Sequence, residues 1–225
     1  MGKISSNLLK LASNVSKYCV GMEGNISGLV EDGSILIKAS GSNLSKLTEH
    51  DLIPFDIDGN QIGKMDKRGS IELSFHLFLL GFEGINYISH THPINSLRIL
   101  CGNYITKQLF STRRLFPDQV IFNGKESCLV PYAKPGKELT NKIKEKVNYF
   151  IDKNGCFPKL ILLENHGIIS CGKTIEECII INDICEKSAD IFNGNEINDL
   201  TFLTSENINE LIIDKGEEYR QNLVK

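Results

Sequence analysis

The chain has 225 residues, a net charge of −3, 24% charged and 8% aromatic residues, and no tryptophan. That length suffices for one large domain with a real core, interspersed charges exclude a nucleic-acid footprint, and no apolar run approaches the ~18 residues of a membrane span or fits a secretory leader. The seven cysteines are odd in number and form no C-x-x-C, so they read as reduced, partly buried thiols of a cytoplasmic protein.

In chain order, Ile4, Leu8, Leu11, Val15 and Cys19 recur at helical spacing and predict an opening amphipathic helix. Asn25–Val30 and Ser34–Ala39 flank Glu31-Asp32-Gly33, a hairpin signal. Thr48-Glu49-His50-Asp51 reads as the start of a short helix, with His50 exposed. Phe55–Ile57 and Gln61–Met65 flank Asp58-Gly59-Asn60, a second hairpin signal. Ser70–Leu80 has the apolar density of a buried helix. Tyr87–His92 reads as a strand, and Pro93 opens a helix through Cys101. Val120–Phe122 and Cys128–Pro131 read as short strands, Thr140–Lys153 as a helix and Leu160–Leu163 as a central strand. Thr174–Phe192 is expected to be a long helix with Cys178 and Cys185 on its core face. Ser205–Asn222 is expected to be a last helix, whose stripe of Ile208, Leu211 and Ile212 either packs on its own domain or covers a neighbour. Tight hairpins and intervening helices predict an α/β fold: a single three-layer domain over 1–225, with a largely antiparallel central sheet and helices on both faces.

Three stretches carry chemistry. His90-Thr91-His92 places two of the five histidines at i and i+2, which in an extended segment point to one face. His166, in Glu164-Asn165-His166-Gly167, could complete a three-nitrogen site with a fourth position open, the layout of a catalytic zinc-like centre. The bland alternative is that each histidine is a satisfied core or surface residue. Glu72 is an acid in an apolar helix. Beside a metal it would be a ligand or general base; otherwise it covers its own helix N-terminus. His76, one turn later, reads as a structural neighbour or a partner of the loops, and not as a ligand. Gly24–Ser27 and Lys38–Ser42 are rich in small residues that let backbone N–H groups approach an anion, although such glycines commonly only make turns.

Gly24-Asn25-Ile26-Ser27, Ile37-Lys38-Ala39-Ser40-Gly41, Ser70-Ile71-Glu72, His90-Thr91-His92-Pro93, Val130-Pro131-Tyr132-Ala133 and Glu164-Asn165-His166-Gly167 follow one another in this order. The set resembles the class II aldolase/adducin family, from about residue 5 to 195. The Ser-Ile-Glu and Lys-Ala-Ser-Gly forms are most similar to the aldolase portion of bifunctional rhamnulose-phosphate aldolase/dehydrogenases, although the chain has no room for the dehydrogenase portion. The resemblance implies that His90, His92 and His166 bind Zn2+, or another divalent ion such as Mn2+ or Co2+. It makes Glu72 the catalytic base, and Gly24, Asn25, Ser27, Ser40, Gly41 and Ser70 the holders of a substrate phosphate. The activity implied is retro-aldol cleavage of a ketose, a sugar phosphate, through a zinc-stabilised enediolate.

Family epimerases carry Asp where Glu72 stands, which argues against that activity. Two departures matter. Ile71 replaces a phosphate-binding serine, so a non-phosphorylated substrate stays open. No tyrosine stands near Phe116-Pro117-Asp118, where the aldolases offer a proton donor to a neighbouring subunit; Asp118 or Tyr219 could supply it. The resemblance implies a homotetramer with shared sites, acting on a small carbohydrate, with no nucleic acid or membrane as partner. Its alternatives are a sugar-acid phosphate decarboxylase and a non-catalytic, adducin-like association module.

Overall fold

A computed structural model describes residues 2–223. The opening helix α1 (Gly2–Val15) buries Leu8, Leu11, Ala12 and Val15 along one face, as its spacing requires. Strands β1 (Asn25–Leu29) and β2 (Ile35–Lys38) form the first hairpin. Its turn closes on the Asp32 carboxylate, which accepts from the Ser34 backbone N–H at 2.9 Å and hydroxyl at 2.5 Å. Strand β3 (Leu52–Phe55) pairs with β2. Residues 49–51 form a single 3₁₀ turn before it, capped reciprocally by Thr48 and Asp51. Of the second expected hairpin only the turn and one bridge, Phe55 to Gln61, are present.

Helix α2 (Leu73–Leu80) starts after Glu72, three residues later than the apolar density suggested. Strand β4 (Tyr87–Thr91) is followed by α3 (Ile94–Leu100) and α4 (Tyr104–Thr112). The expected strand over Val120–Phe122 is instead helix α5 (Pro117–Asn123). Pro117 suits the first helical turn, and Val120 and Ile121 are buried helically together with Gln119 and Asn123. Then come β5 (Cys128–Val130), α6 (Lys137–Asn154), β6 (Leu160–Leu163), β7 (Gly167–Gly172) and α7 (Ile175–Asn193). Helix α4 and strand β7 have no counterpart among the expected elements. The last predicted helix is two, α8 (Ser205–Ile213) and α9 (Lys215–Asn222), because Asp214 leaves the helical conformation and caps α9 by accepting from the Glu217 N–H. Ile208 and Leu211 are half-buried, and α8 lies against α5 of its own chain.

The sheet has seven strands in the order β3-β2-β1-β4-β7-β6-β5, antiparallel except for the β5–β6 pair. Strand β4 is the centre. Leu160–Leu163, expected to be central, lies next to the edge, where helices on both faces bury all four residues. On one face Ile37, Ile53, Ile88 and Ile169 pack under α2 and α6. On the other, Ile26, Leu36 and Tyr87 meet α1 and α7, and Leu160, Leu162 and Ile168 meet the helices of the second half.

One buried amide locks the register at the centre. Asn182 of α7 donates to Ser89 at 2.7 Å and Ser170 at 2.9 Å, and accepts from Thr91 at 2.5 Å. These bonds turn Ser89 and Thr91 toward α7, so Ile88 and His90 must face α2. A one-residue slip would strand each of these groups, at a cost of about 1–3 kcal/mol apiece.

Candidate active site

The strand order brings β1, β4 and β7 side by side, and all three carry site residues. Asn25 lies directly across the strand pair from His90. His90 is buried, and its Nδ1 donates to the Ile168 carbonyl at 2.9 Å. A carbonyl only accepts, so a neutral His90 carries its proton on Nδ1 and its lone pair on Nε2. His92 follows the end of β4. Its Nε2 lies 3.1 Å from His90 Nε2, and its Nδ1 is 3.5 Å from the Glu23 carboxylate. His166 comes from the β6–β7 turn, where Asn165 adopts a left-handed φ of 55°, a conformation that asparagine tolerates better than most residues. One ligand nitrogen from each of the three histidines lies within 4.8 Å of the others. Two nitrogens on one tetrahedral zinc ion, each ~2.0–2.1 Å away, stand ~3.3 Å apart, close to the His90–His92 spacing.

Two glycines permit this approach. A Cβ on Gly167 would lie 2.5 Å from the His92 ring and 2.5 Å from the Thr91 carbonyl. Gly24, at φ +68°, would push a Cβ to 2.7 Å from the His90 carbonyl and 2.6 Å from Cys19 Sγ. Each therefore lets backbone and histidines pass closer than any side chain allows.

Burial pushes His90, His92 and His166 down to about 4. For His92 and His166 the neighbouring His90 adds to the effect, opposed by Glu72 and, at His92, by Glu23. All three are neutral at pH 7, the state that a metal requires.

Glu72 does not cover its own helix: its side chain makes no bond to the N-terminal N–H groups of α2. It turns instead toward β1 and β4. Oε2 accepts from Asn25 Nδ2 at 2.8 Å and lies 3.4 Å from His90 Nε2. Oε1 is buried without a hydrogen-bond partner, 3.6 Å from His166 Nε2. An unpaired carboxylate oxygen among neutral rings is costly. A divalent cation held by those rings would offset that cost, so the donor set and the stranded oxygen fit a metal.

His76 turns toward Ser27 and Asn25. It is fully buried, stacked on Phe75 with centroids 4.5 Å apart, and bonded to Ser27 and Asn25. The expected phosphate loops do converge. Ser40 N–H donates to Arg68 O at 2.8 Å, Ala39 bridges Gly69, and Ser70 Oγ lies 3.4 Å from Asn25 Nδ2. Lys38 is buried beneath them, its ammonium 3.4 Å from the Met22 and Ala39 carbonyls. Gly24, Ser40, Gly41 and Ser70 are at least partly exposed on these loops. Ser27 and Asn25 differ from the expectation: both are buried, and their side chains point under the loops to His76 and Glu72. They face that way because alternate residues of β1 share the α2 side. Of the two expected proton donors, Asp118 is paired with Arg220 at 2.8 Å and Tyr219 is exposed on α9. The three histidines, by contrast, are gathered around Glu72. His50 is exposed, as expected.

Three histidines grouped about a buried carboxylate, on a mostly antiparallel sheet covered on both faces, form a site that could hold a metal ion. The chain belongs to the class II aldolase/adducin family: residues 10–192 match the family described as Class II Aldolase and Adducin N-terminal domain. A relative named L-fuculose phosphate aldolase, from Methanococcus maripaludis (strain C5), is 31% identical over 189 residues, 83% of this chain and 93% of its own. Another, 3-oxo-tetronate 4-phosphate decarboxylase from Haemophilus influenzae, is 26% identical over 195 residues, 86% of this chain and 88% of its own. A solved structure of L-fuculose 1-phosphate aldolase superimposes with a TM-score of 0.77, covering 98% of this chain and 97% of its own at 19% identity, and so shares the fold.

Proposed function

We propose that this protein is a divalent-metal-dependent aldehyde-lyase that cleaves a phosphorylated ketose by a retro-aldol reaction, with Glu72 as the base. The observation that carries the reading is Glu72 Oε1, buried, unpaired and turned toward three neutral histidines. His90, His92 and His166 would hold the ion, with Zn2+, Mn2+ or Co2+ suited to imidazole donors. When bound, the ion supplies Lewis-acid stabilisation of charge developing on substrate oxygens. Glu72 holds the proton at the nucleophilic carbon: it removes it in the condensation direction and returns it after the carbon–carbon bond has broken. Asn25 keeps Glu72 Oε2 hydrogen-bonded meanwhile. Gly24, Ser40, Gly41 and Ser70 receive the phosphate, and the buried Lys38 ammonium contributes positive potential beneath them. That buried charge compensates for the serine that Ile71 replaces, since the Ile71 side chain is exposed and offers no donor.

The decarboxylase relative supports a second reading, in which the same proton chemistry follows loss of carbon dioxide. A panel of ketose 1-phosphates, free ketoses and 3-oxo sugar-acid phosphates, with zinc, manganese or cobalt added, separates the two. Aldehyde release from phosphorylated ketoses is expected. Carbon dioxide release without aldehyde would replace the aldolase reading with the decarboxylase. The reading includes a cytoplasmic homotetramer in which Asp118 or Tyr219 serves a neighbour's site. Sedimentation as a single species of 25.1 kDa, the mass of one chain, would remove that part.

A further inference from the structure

The hydrogen bonds behind Glu72 admit one direction only. A carboxylate accepts and never donates. The 2.8 Å contact from Asn25 Nδ2 to Glu72 Oε2 therefore sets the amide nitrogen toward Glu72 and the amide oxygen toward His76. His76 Nε2 must then carry the proton, which leaves Nδ1 to accept from the Ser27 hydroxyl at 2.7 Å. The chain runs Ser27 O–H to His76, His76 N–H to Asn25, Asn25 N–H to Glu72. All four side chains are buried, with at most 6% exposure, so water does not compete for these links. Two structural periods create the arrangement: Ser27 and Asn25 are two apart on one face of β1, and His76 stands one turn beyond Glu72.

We propose that His76 is a positioning residue: held by Ser27 with its proton on Nε2, it fixes the Asn25 amide so that Glu72 Oε2 is always occupied by a donor and Oε1 alone exchanges the reaction's proton. This rests on the reading of Glu72 as base. Accepting from Asn25 lowers the basicity of Oε2, and a proton on the lone pair that faces Asn25 would require Asn25 to present its oxygen, His76 to move its proton to Nδ1 and Ser27 to turn its hydroxyl away. Oε1 needs none of these changes. It already lacks a partner and lies on the edge nearest His166. The stack of His76 on Phe75 keeps the imidazole plane in line with both neighbours.

Two measurements test the proposal, and one is independent of turnover. In full-length protein labelled with ¹⁵N-histidine and loaded with zinc, the ring nitrogens of His76 are expected to report a neutral imidazole protonated at Nε2 at pH 7. A proton on Nδ1, or a doubly protonated ring, overturns the relay. In kinetics, His76→Leu is expected to lower kcat about tenfold or more, the usual scale for such supporting groups, with KM and bound metal unchanged. His76→Gln, whose amide can again donate to Asn25, is expected to recover most of the loss. In an Asn25→Ala background, His76→Leu is expected to add nothing, because its effect passes through Asn25. Wild-type kcat in His76→Leu, or losses that multiply in the double variant, overturns the proposal. Should His76→Leu not fold, Ser27→Ala decides: mixed tautomers at His76 and a lowered kcat support the relay, and an unchanged ring with unchanged kcat overturns it. Glu72→Gln judges the base assignment separately, and the ring nitrogens judge the relay whichever way that result falls.

Discussion

Glu72→Gln is expected to lower turnover by ~10²-fold or more, the usual scale for a lost acid–base group, while the fold survives. Glutamine has nearly the volume of glutamate, and its carbonyl oxygen can still accept from Asn25 Nδ2. The amide N–H groups then face the position of Oε1, near His166 Nε2. A donor replaces the unpaired acceptor there, and the proton-taking oxygen is gone. A second readout separates charge from chemistry. Removing a buried, unpaired carboxylate relieves its desolvation cost, so the variant is expected to melt higher than wild type in the presence of a chelator. With metal present that advantage is expected to shrink, because the ion compensates Glu72 in the wild type. Turnover within a few-fold of wild type would leave Glu72 as a structural carboxylate and remove the proposed chemistry.

The second large effect concerns the histidines. His92→Ala is expected to abolish bound metal and activity together, with near-native stability. His92 is the suitable probe because it stands beyond the end of β4, half-buried, and partners a Glu23 carboxylate that is itself largely exposed. His90 is embedded: its ring meets Phe75 edge-on at 5.9 Å and bonds to Ile168 O. Truncating it would leave a cavity and confuse loss of metal with loss of packing. Metal analysis of purified protein is the measurement. One tightly bound ion retained in the His90, His92 and His166 triple alanine variant would refute the assignment. Wild-type protein without any stoichiometric ion would favour the association-module reading, which has no need of one.

The outline of both fold and site was legible from local pattern. The apolar spacing of α1, the Asp-Gly turn between β1 and β2, and the strand carrying His90 all matched the structure. Strand side chains alternate and helix side chains recur every three to four residues, whatever surrounds them. Where a segment was too short for either period to show, the reading failed. Val120–Phe122 is three apolar residues, which suit a strand or one helical turn equally, and Pro117 with packing against α7 makes it helix. Gly167–Gly172 is buried along its whole length and shows no alternation to read.

At the site, the sequence alone determined that His90 and His92 could share one face and that their motifs order the chain like a class II aldolase. Only the tertiary structure decided which groups Glu72, Asn25, Ser27 and His76 meet, because each partner is distant in sequence. Glu72 turned from its own helix to Asn25, 47 residues away. Ser27 turned beneath the loops to His76, 49 residues away. Hydrogen-bond direction and burial are set by what the sheet order places alongside, and strand order is not written in any local period.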